Sequence, residues 1–358
     1  MTTLDRWTRP LAAGALALGL VACESLGPQA LPGDQFNYNA AIAQSIQEQL
    51  LTNLIRLRYN EPPVFLRVSS VISQRARVLS TDAAAGFNAG TLGDNTLGVG
   101  GGYAWTDRPT ITYVPVAGQE FSRNLLTPLP PRAMFEMAQA GWPTDLVLGM
   151  TTWSVNGLEN DIARPARRRQ AEPELLEFFE VWRRLREVGV VGVRTEQVKD
   201  AEPKMFVFLR TKMIDERNKI DVEDFYRLLR LDPELTEFPV RYGLVPDAES
   251  SIAVLTGSLW DIMLNLAWQL DVPPEHIENG RTRPPFRSER TGGLPPIQVR
   301  FSDEYPEHAF VAVRAQDRWF YIDADDSNSK RVLSFVQLLL NLAETTPTDS
   351  GPVVTISS

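Results

Sequence analysis

The 358-residue sequence predicts an α+β fold, in which helices and antiparallel strands follow one another without the regular alternation of a parallel sheet. Apolar residues recur at helical spacing near the N-terminus, from Asn37 to Tyr59. The period changes to two in a glycine-rich region, residues 68–116, which is typical of strands. These patterns indicate an N-terminal helix, then a long Gly-rich antiparallel β-meander, then a mixed α/β C-terminal half.

The first segment has the organisation of a secretory signal peptide. Two arginines precede an uncharged run, rich in Leu, Ala and Gly, that is short for crossing a bilayer. The run ends in Leu20-Val21-Ala22-Cys23, and Cys23 is the only cysteine of the chain. This tetrad resembles the bacterial lipobox, which implies recognition of Leu20, Val21 and Ala22 by signal peptidase, lipidation of Cys23 and loss of residues 1–22. The alternative is an ordinary signal peptide, or a membrane helix, with an unrelated cysteine.

Lipidation would place the protein on a membrane, because two or more fatty chains anchor a protein effectively permanently. Glu24 stands where an aspartate would signal inner-membrane retention in enterobacterial lipoproteins, so the resemblance implies an outer-membrane anchor facing the periplasm. Removing residues 1–22 takes away two arginines and one aspartate, which moves the formal charge from −9 to −10. We expect no nucleic-acid binding, since a basic surface supplies most of that affinity.

The mature chain is expected to begin with a tether and a helix. Residues 23–34 include a Pro- and Gly-rich stretch and predict a short acylated tether. The helix from Asn37 to Tyr59 has one apolar face, and Pro62-Pro63 ends it. Together with the meander, this helix is predicted to form a domain of residues 35–161.

Three strands are expected in the meander: Val68–Ser80, residues 96–105 and Thr110–Val116. In the second strand, large residues such as Leu97 and Trp105 alternate with small ones, which is the pattern of transmembrane barrel strands. A lone hairpin leaves its edges unpaired in lipid, so a pore would need several copies of the chain. In that pore, Ser69, Val71, Ser73, Arg75 and Arg77 would face the lumen, and Val68, Ile72, Ala76 and Val78 would meet lipid. The alternative is a soluble sheet packed against the N-terminal helix.

The charged, apolar-poor stretch 162–173 predicts a linker to an α+β domain of residues 174–358. In that domain we expect an amphipathic helix over 174–188 and a core helix over 257–270. A hairpin with Gln316-Asp317 at its turn precedes a helix that begins near Lys330. The segment 352–358 predicts a final strand.

Three stretches resemble an uncharacterised family of bacterial outer-membrane lipoproteins. They are "EQLLTNLIRLRYNEPPVFLRVSS" (48–70), "RPTITYVPVAGQEFSRNLLTPLP" (108–130) and "RWFYIDADDSNSKRVLSFVQLLLNL" (318–342). The resemblance supports an envelope location and implies no activity or functional residue that could be transferred.

The sequence offers few groups for catalysis. No free thiol remains once Cys23 is acylated, and His276 and His308 are the only histidines. Neither histidine lies in a HExxH or known zinc pattern, so both are interpreted as surface residues and no catalytic residue or cofactor is predicted. The alternative is a metal-dependent or hydrolytic enzyme that uses His276 or His308.

Two charged stretches are candidate binding sites. The acidic loop that contains Asp323, Asp325 and Asp326 resembles the start of a calcium loop, although the later ligands are missing. The competing interpretation is that its residues cap the following helix. The basic run of Arg164, Arg167, Arg168 and Arg169 is a candidate contact for anionic lipid, or else a solvated linker.

These features favour a lipid-anchored, periplasm-facing envelope lipoprotein that is not an enzyme and serves in scaffolding, assembly or interaction. Its predicted partners are the membrane, through Cys23, and either an envelope protein or further copies of itself. The first alternative is an oligomeric outer-membrane pore built from the 68–116 hairpin. The second is the histidine-dependent enzyme.

Overall fold

A computed structural model describes residues 31–86, 96–116, 118–164, 168–197 and 203–343. It confirms the α+β class, with helices and several separate sheets. The chain divides into two compact units, one of residues 64–117 and one that contains the rest of the chain.

The first described element of the larger unit is helix α1, Leu31–Arg58. Residues 31–34, predicted as part of the tether, belong to this helix, and Pro32 is compatible with a first turn because that turn needs no N–H from it. The helix ends in a Schellman motif, in which Asn60 has φ 61° and Glu61 N donates to Arg56 O at 2.8 Å. Pro62 and Pro63 follow this motif.

A six-stranded sheet forms the first half of the larger unit. Its strands are β3 Thr152–Val155, β4 Leu158–Glu159, β7 Val191–Glu196, β8 Lys204–Leu209, β9 Glu237–Tyr242 and β10 Ile252–Thr256. The strand order is β4-β3-β10-β9-β8-β7, and all neighbours are antiparallel except β9 and β10. The helices of this half are α2 Gln119–Leu126, α3 Pro131–Gln139, α4 Thr144–Thr151, α5 Pro173–Glu187 and α6 Lys219–Leu229.

Aromatic side chains fill the core beside this sheet. Trp182 on α5 packs 5.6 Å from Phe135 on α3 and 6.3 Å from Phe225 on α6, measured between ring centroids. Phe225 is fully buried and Trp182 nearly so. Burial of rings of this size contributes roughly 1.5–3 kcal/mol each, so this cluster is a main source of stability.

The second half is built on a three-stranded antiparallel sheet. Its strands β11 Arg300–Ser302, β12 Ala309–Ala315 and β13 Arg318–Asp323 lie in the order β11-β13-β12. Gln316 and Asp317 form the predicted turn with φ 52° and 67°, the left-handed pair that a two-residue hairpin favours. The remaining helices are α7 Leu259–Ala267, α8 Pro274–Glu278 and α9 Ser327–Ala343. Helix α1 packs against α7, α9 and β12.

The stretch 162–173 differs from the predicted linker. Strand β5, Ile162–Ala163, pairs with β6, Arg168–Arg169, and Ala163 is fully buried. Glu172 N also donates to Glu159 O at 2.9 Å. Charged residues satisfy a linker pattern, but here their partners lie within the folded unit, so residues on both sides of the stretch belong to one compact unit.

The smaller unit contains one long hairpin. Strand β1, Leu66–Gly86, pairs with strand β2, Thr96–Pro115, in antiparallel register from Leu66↔Pro115 to Gly86↔Thr96. The predicted second and third strands are therefore one continuous strand, since pairing with β1 continues across Asp107, Arg108 and Pro109. The predicted three-stranded meander is a two-stranded hairpin.

Candidate functional site

The hairpin β1–β2 is the first candidate site because of its length. At about 3.3 Å per residue, strands of 21 and 20 residues extend for roughly 65 Å, well beyond the usual strand length of 3–10 residues. Its sheet contains only these two strands among the described residues. Each outer edge therefore presents backbone N–H and C=O groups that no described strand pairs.

The register divides the outer half of the hairpin into two different faces, because residues directly opposite one another share a face. One face is uncharged and mostly apolar; its pairs are Leu79↔Tyr103, Thr81↔Gly101, Ala83↔Val99 and Ala85↔Leu97. The other consists of small residues and one carboxylate; its pairs are Ser80↔Gly102, Asp82↔Gly100 and Ala84↔Gly98.

The register also corrects the predicted pore faces. Arg77 is opposite Trp105, and Arg75 is opposite Asp107, so both arginines share a face with the large apolar residues of β2. The alternation within the first strand predicts a lumen face for Arg75 and Arg77, but it does not fix the register that joins the two strands. The pairs Arg77↔Trp105 and Arg75↔Asp107 lie where the uncharged outer half of that face ends.

The second candidate site is a polar network at the end of helix α1, formed by the buried residues Arg58, Tyr59, His276 and Thr282 and by Arg281, which is exposed. His276 on α8 is 4 % exposed, so its interpretation as a surface residue is wrong. Its Nδ1 lies 2.6 Å from Tyr59 Oη, and its Nε2 lies 3.3 Å from Arg281 Nη1. Arg281 is a donor only, so Nε2 must accept, and Nδ1 then carries the proton toward Tyr59.

Arg58 joins this network to distant parts of the chain. Its guanidinium donates to Leu270 O at 3.2 Å, Thr282 Oγ1 at 2.5 Å and Arg283 O at 2.6 Å. It also lies 4.9 Å from the centre of the Trp268 ring. A guanidinium with five donors can satisfy several acceptors at once, which explains how a charged side chain is 99 % buried here.

Burial controls the titration of this network. It lowers the pKa of Arg58 to about 10 and raises the pKa of Tyr59 to about 12. Burial, followed by the positive charge of Arg281, lowers the pKa of His276. The imidazole is therefore held neutral, a form that could serve as a base, but its two nitrogens already face Tyr59 and Arg281.

The predicted acidic loop lies beside the other histidine. His308 Nε2 is 3.2 Å from Asp325 Oδ2, and ligand atoms of His308, Asp323 and Asp325 lie within 4.8 Å of one another. These three residues could together hold a metal ion. Asp323 is already paired with Arg300 at 3.2 Å, and His308 and Asp325 are exposed, so the geometry equally fits a solvated ion-pair cluster.

Asp326, the third predicted metal candidate, has a different role. Its Oδ1 accepts from Ser329 N at 2.9 Å and its Oδ2 accepts from Ser329 Oγ at 2.5 Å, directly before helix α9. These are the contacts of an N-cap residue. Asp326 therefore caps α9, as the competing interpretation of the acidic loop proposed.

The basic run makes contacts inside the folded unit. Arg164 pairs with Asp261 at 2.7 Å and lies over the Trp153 ring, and Arg169 pairs with Glu159. Arg168 donates to Pro284 O at 2.9 Å. Arg167 lies outside the described residues. Arg164 and Arg169 are thus paired with carboxylates within the chain, whereas Arg168 is exposed and contacts a carbonyl oxygen, so contact of this run with anionic lipid stays a prediction.

The lipidation tetrad, Leu20, Val21, Ala22 and Cys23, lies outside the described residues. So does the predicted final strand at 352–358. Among the described residues, no helix combines the length and apolar character that crossing a bilayer requires.

Sequence reasoning missed the network around Arg58. The available signal was an Arg-Tyr pair on the buried side of an amphipathic helix, next to its proline stop. The partners of Arg58 lie 212 to 225 residues further along the chain, a separation that no local pattern reveals. No protein-family model matches the chain, and no curated protein or solved structure matches it either.

Proposed function

We propose that the chain is a lipid-anchored envelope protein, held on the outer membrane through Cys23 and facing the periplasm, that acts by assembly and not by catalysis. The observation that supports this proposal most strongly is the hairpin β1–β2, whose two strands pair only with each other among the described residues. The lipobox-like tetrad supports the anchor.

An isolated two-stranded hairpin is at best marginally stable in water, and soluble proteins normally protect long strand edges. A partner strand added to either edge would satisfy backbone groups along its length, as in other cases of β-augmentation. A second copy of the hairpin is one source of that strand, and another envelope protein is the other. In either case the hairpin is the assembly element.

The experiment compares the full chain with a hairpin deletion. Val116 N donates to Phe65 O at 2.8 Å, so the two ends of the hairpin lie side by side and a short glycine turn can replace residues 66–115. Native mass measurement of detergent extracts should find the full chain in an oligomer or with a co-purified partner. The deletion should be monomeric and should keep the melting temperature of the larger unit.

A strictly monomeric full chain without a partner would contradict the assembly role, especially if it also showed enzymatic turnover. An unchanged complex in the deletion variant would show that assembly uses another surface. Mass measurement of the N-terminal peptide tests the anchor independently, since acylated Cys23 and an uncut leader differ in mass.

The register supports a second candidate function, a pore formed by hairpins from several copies. The uncharged face that carries Leu97, Val99 and Tyr103 covers about eight residues of each strand, close to the 9–11 residues that a tilted strand needs to span a bilayer. Trp105 and Arg77 follow it, where aromatic and charged residues usually meet the membrane surface.

Two neighbouring substitutions on opposite faces test the pore. Val99→Asp would place a carboxylate toward lipid and should abolish conductance in planar bilayers. Gly98→Asp would place it toward the lumen and should preserve conductance with greater cation preference. Absence of conductance by the unmodified protein, or equal effects of both variants, would rule out this use of the hairpin.

A further inference from the structure

A cavity of about 320 Å³ lies in the larger unit, between helices α3, α4 and α5 and strands β7 and β8. Its wall is mixed: polar atoms contribute about as much of it as the apolar and aromatic residues, which include Phe135, Leu148, Trp182, Val191, Val193 and Phe208. Concave sites of this size that combine apolar side chains with polar groups are typical of small-molecule sites.

Two guanidinium groups line the same cavity. Arg186 donates to Ala138 O at 2.5 Å and to Thr144 Oγ1, which fixes its position between α3 and α4. Arg210 is exposed, and its guanidinium carbon lies 5.7 Å from the centre of the Phe208 ring. Among the described residues no carboxylate pairs with either arginine, whereas Arg184 and Arg227 nearby each pair with an acidic side chain.

Gly192 brings the aromatic wall close to the strand backbone. A Cβ at this position would lie 2.5 Å from Phe208 Cζ, so only glycine leaves room for the ring where it stands. The ring therefore lies against β7, with the Arg210 guanidinium near it. Gln139 Nε2 donates to Val193 O at 3.2 Å and connects α3 to β7 beside the cavity.

We propose that this cavity binds a small amphipathic carboxylate. The apolar body of the ligand contacts the aromatic wall, and its carboxylate pairs with Arg210, with Arg186 as a second positive group. Charge complementarity selects this occupant: the chain is acidic overall, yet in its described part no carboxylate pairs with these two cations, which lie beside aromatic side chains. The proposal is independent of assembly through the hairpin.

The test is calorimetric titration of the full chain in nonionic detergent with phenylbutyrate, and with phenylbutyramide as its uncharged counterpart. We expect the carboxylate to bind and the amide to bind at least about tenfold more weakly, since hydrogen bonds to charged groups are worth more than neutral ones. Arg210→Gln should weaken binding of the carboxylate by about tenfold. Arg210→Lys should retain part of the affinity, because the charge remains.

The matched control is Arg241→Gln, which removes another exposed arginine, one that pairs with Asp247 and does not line the cavity. This variant should bind phenylbutyrate as the unmodified chain does. No binding of the carboxylate, equal binding of acid and amide, or an unchanged affinity in Arg210→Gln would overturn the proposal. Circular dichroism of each variant verifies that the comparison is between folded proteins.

Discussion

Replacement of Arg58 by alanine gives the most quantitative prediction for the larger unit. The guanidinium makes three hydrogen bonds that link α1 to Leu270, Thr282 and Arg283. Hydrogen bonds that involve a charged group are worth about 1.5–3 kcal/mol each, which gives roughly 6 kcal/mol for three. These bonds are opposed by the cost of burying the charge.

Burial disfavours the charged form and lowers the pKa of Arg58 to about 10. The net loss in the free energy of unfolding on replacement by alanine is therefore expected to be below the sum of the three bonds, at about 3 kcal/mol, the lower end of what removal of one partner from a buried charged pair costs. For a folded unit of this size the melting temperature should fall by roughly 6–12 °C.

Thermal and urea unfolding, followed by circular dichroism, measure this change. Arg58→Lys should restore only part of the loss, because an ammonium cannot reach three separated acceptors in the same way. Arg132→Ala is the matched control, since Arg132 pairs with Glu136 on an exposed helix face, where an ion pair contributes about 0–1 kcal/mol. If Arg58→Ala were no more destabilising than this control, the role given to the network would be wrong.

Three further predictions concern titration and capping. The pKa of His276 is lowered in the folded chain, so the stabilising effect of its neutral form is complete above about pH 6.5 and is lost as pH falls below that value. His276→Gln should therefore flatten the melting-temperature profile in that acidic range. Burial raises the pKa of Tyr59 to about 12, so the free energy of unfolding should decrease as pH rises above about 10. Tyr59→Phe should remove the part of this decrease that comes from Tyr59, as measured by urea unfolding at several pH values. Asp326→Ala should lower the free energy of unfolding by about 1 kcal/mol through loss of the cap of α9, while Asp325→Ala should change it little. Urea unfolding measures both variants. A larger loss in Asp325→Ala than in Asp326→Ala would favour a structural metal in this loop.

Local patterns in the sequence were sufficient for features whose causes are local. The turn at Gln316-Asp317 and the helix stop at Pro62 depend on a few adjacent residues, and the structure places both where the pattern indicates. The acidic residue before α9 also acts as a cap over only three positions. In each case the residues that make the determining contacts lie within a few positions of one another in the sequence.

Features that depend on distant pairing were not predictable in the same way. The faces of the hairpin require the register that sets Arg77 opposite Trp105, and an alternating pattern in each strand alone does not fix that register. The structure of residues 162–173 differs from the predicted linker for a related reason. Arg164 pairs with Asp261 and Arg168 donates to Pro284 O, and both partners lie about a hundred residues away in the sequence. The burial of the Arg58 charge likewise cannot be predicted from the sequence, because the groups that accept its hydrogen bonds are distant in the chain.

Site-specific photo-crosslinking in cells tests the central claim, assembly through the hairpin, most directly. A photoreactive amino acid at Ala83 lies on a strand whose outer edge no described strand pairs, and one at Lys212 serves as a control on an exposed 3₁₀ turn of the larger unit. The proposed function predicts a discrete adduct from position 83, either with a second copy or with an envelope protein, and none from position 212. A monomeric band from both positions would contradict it.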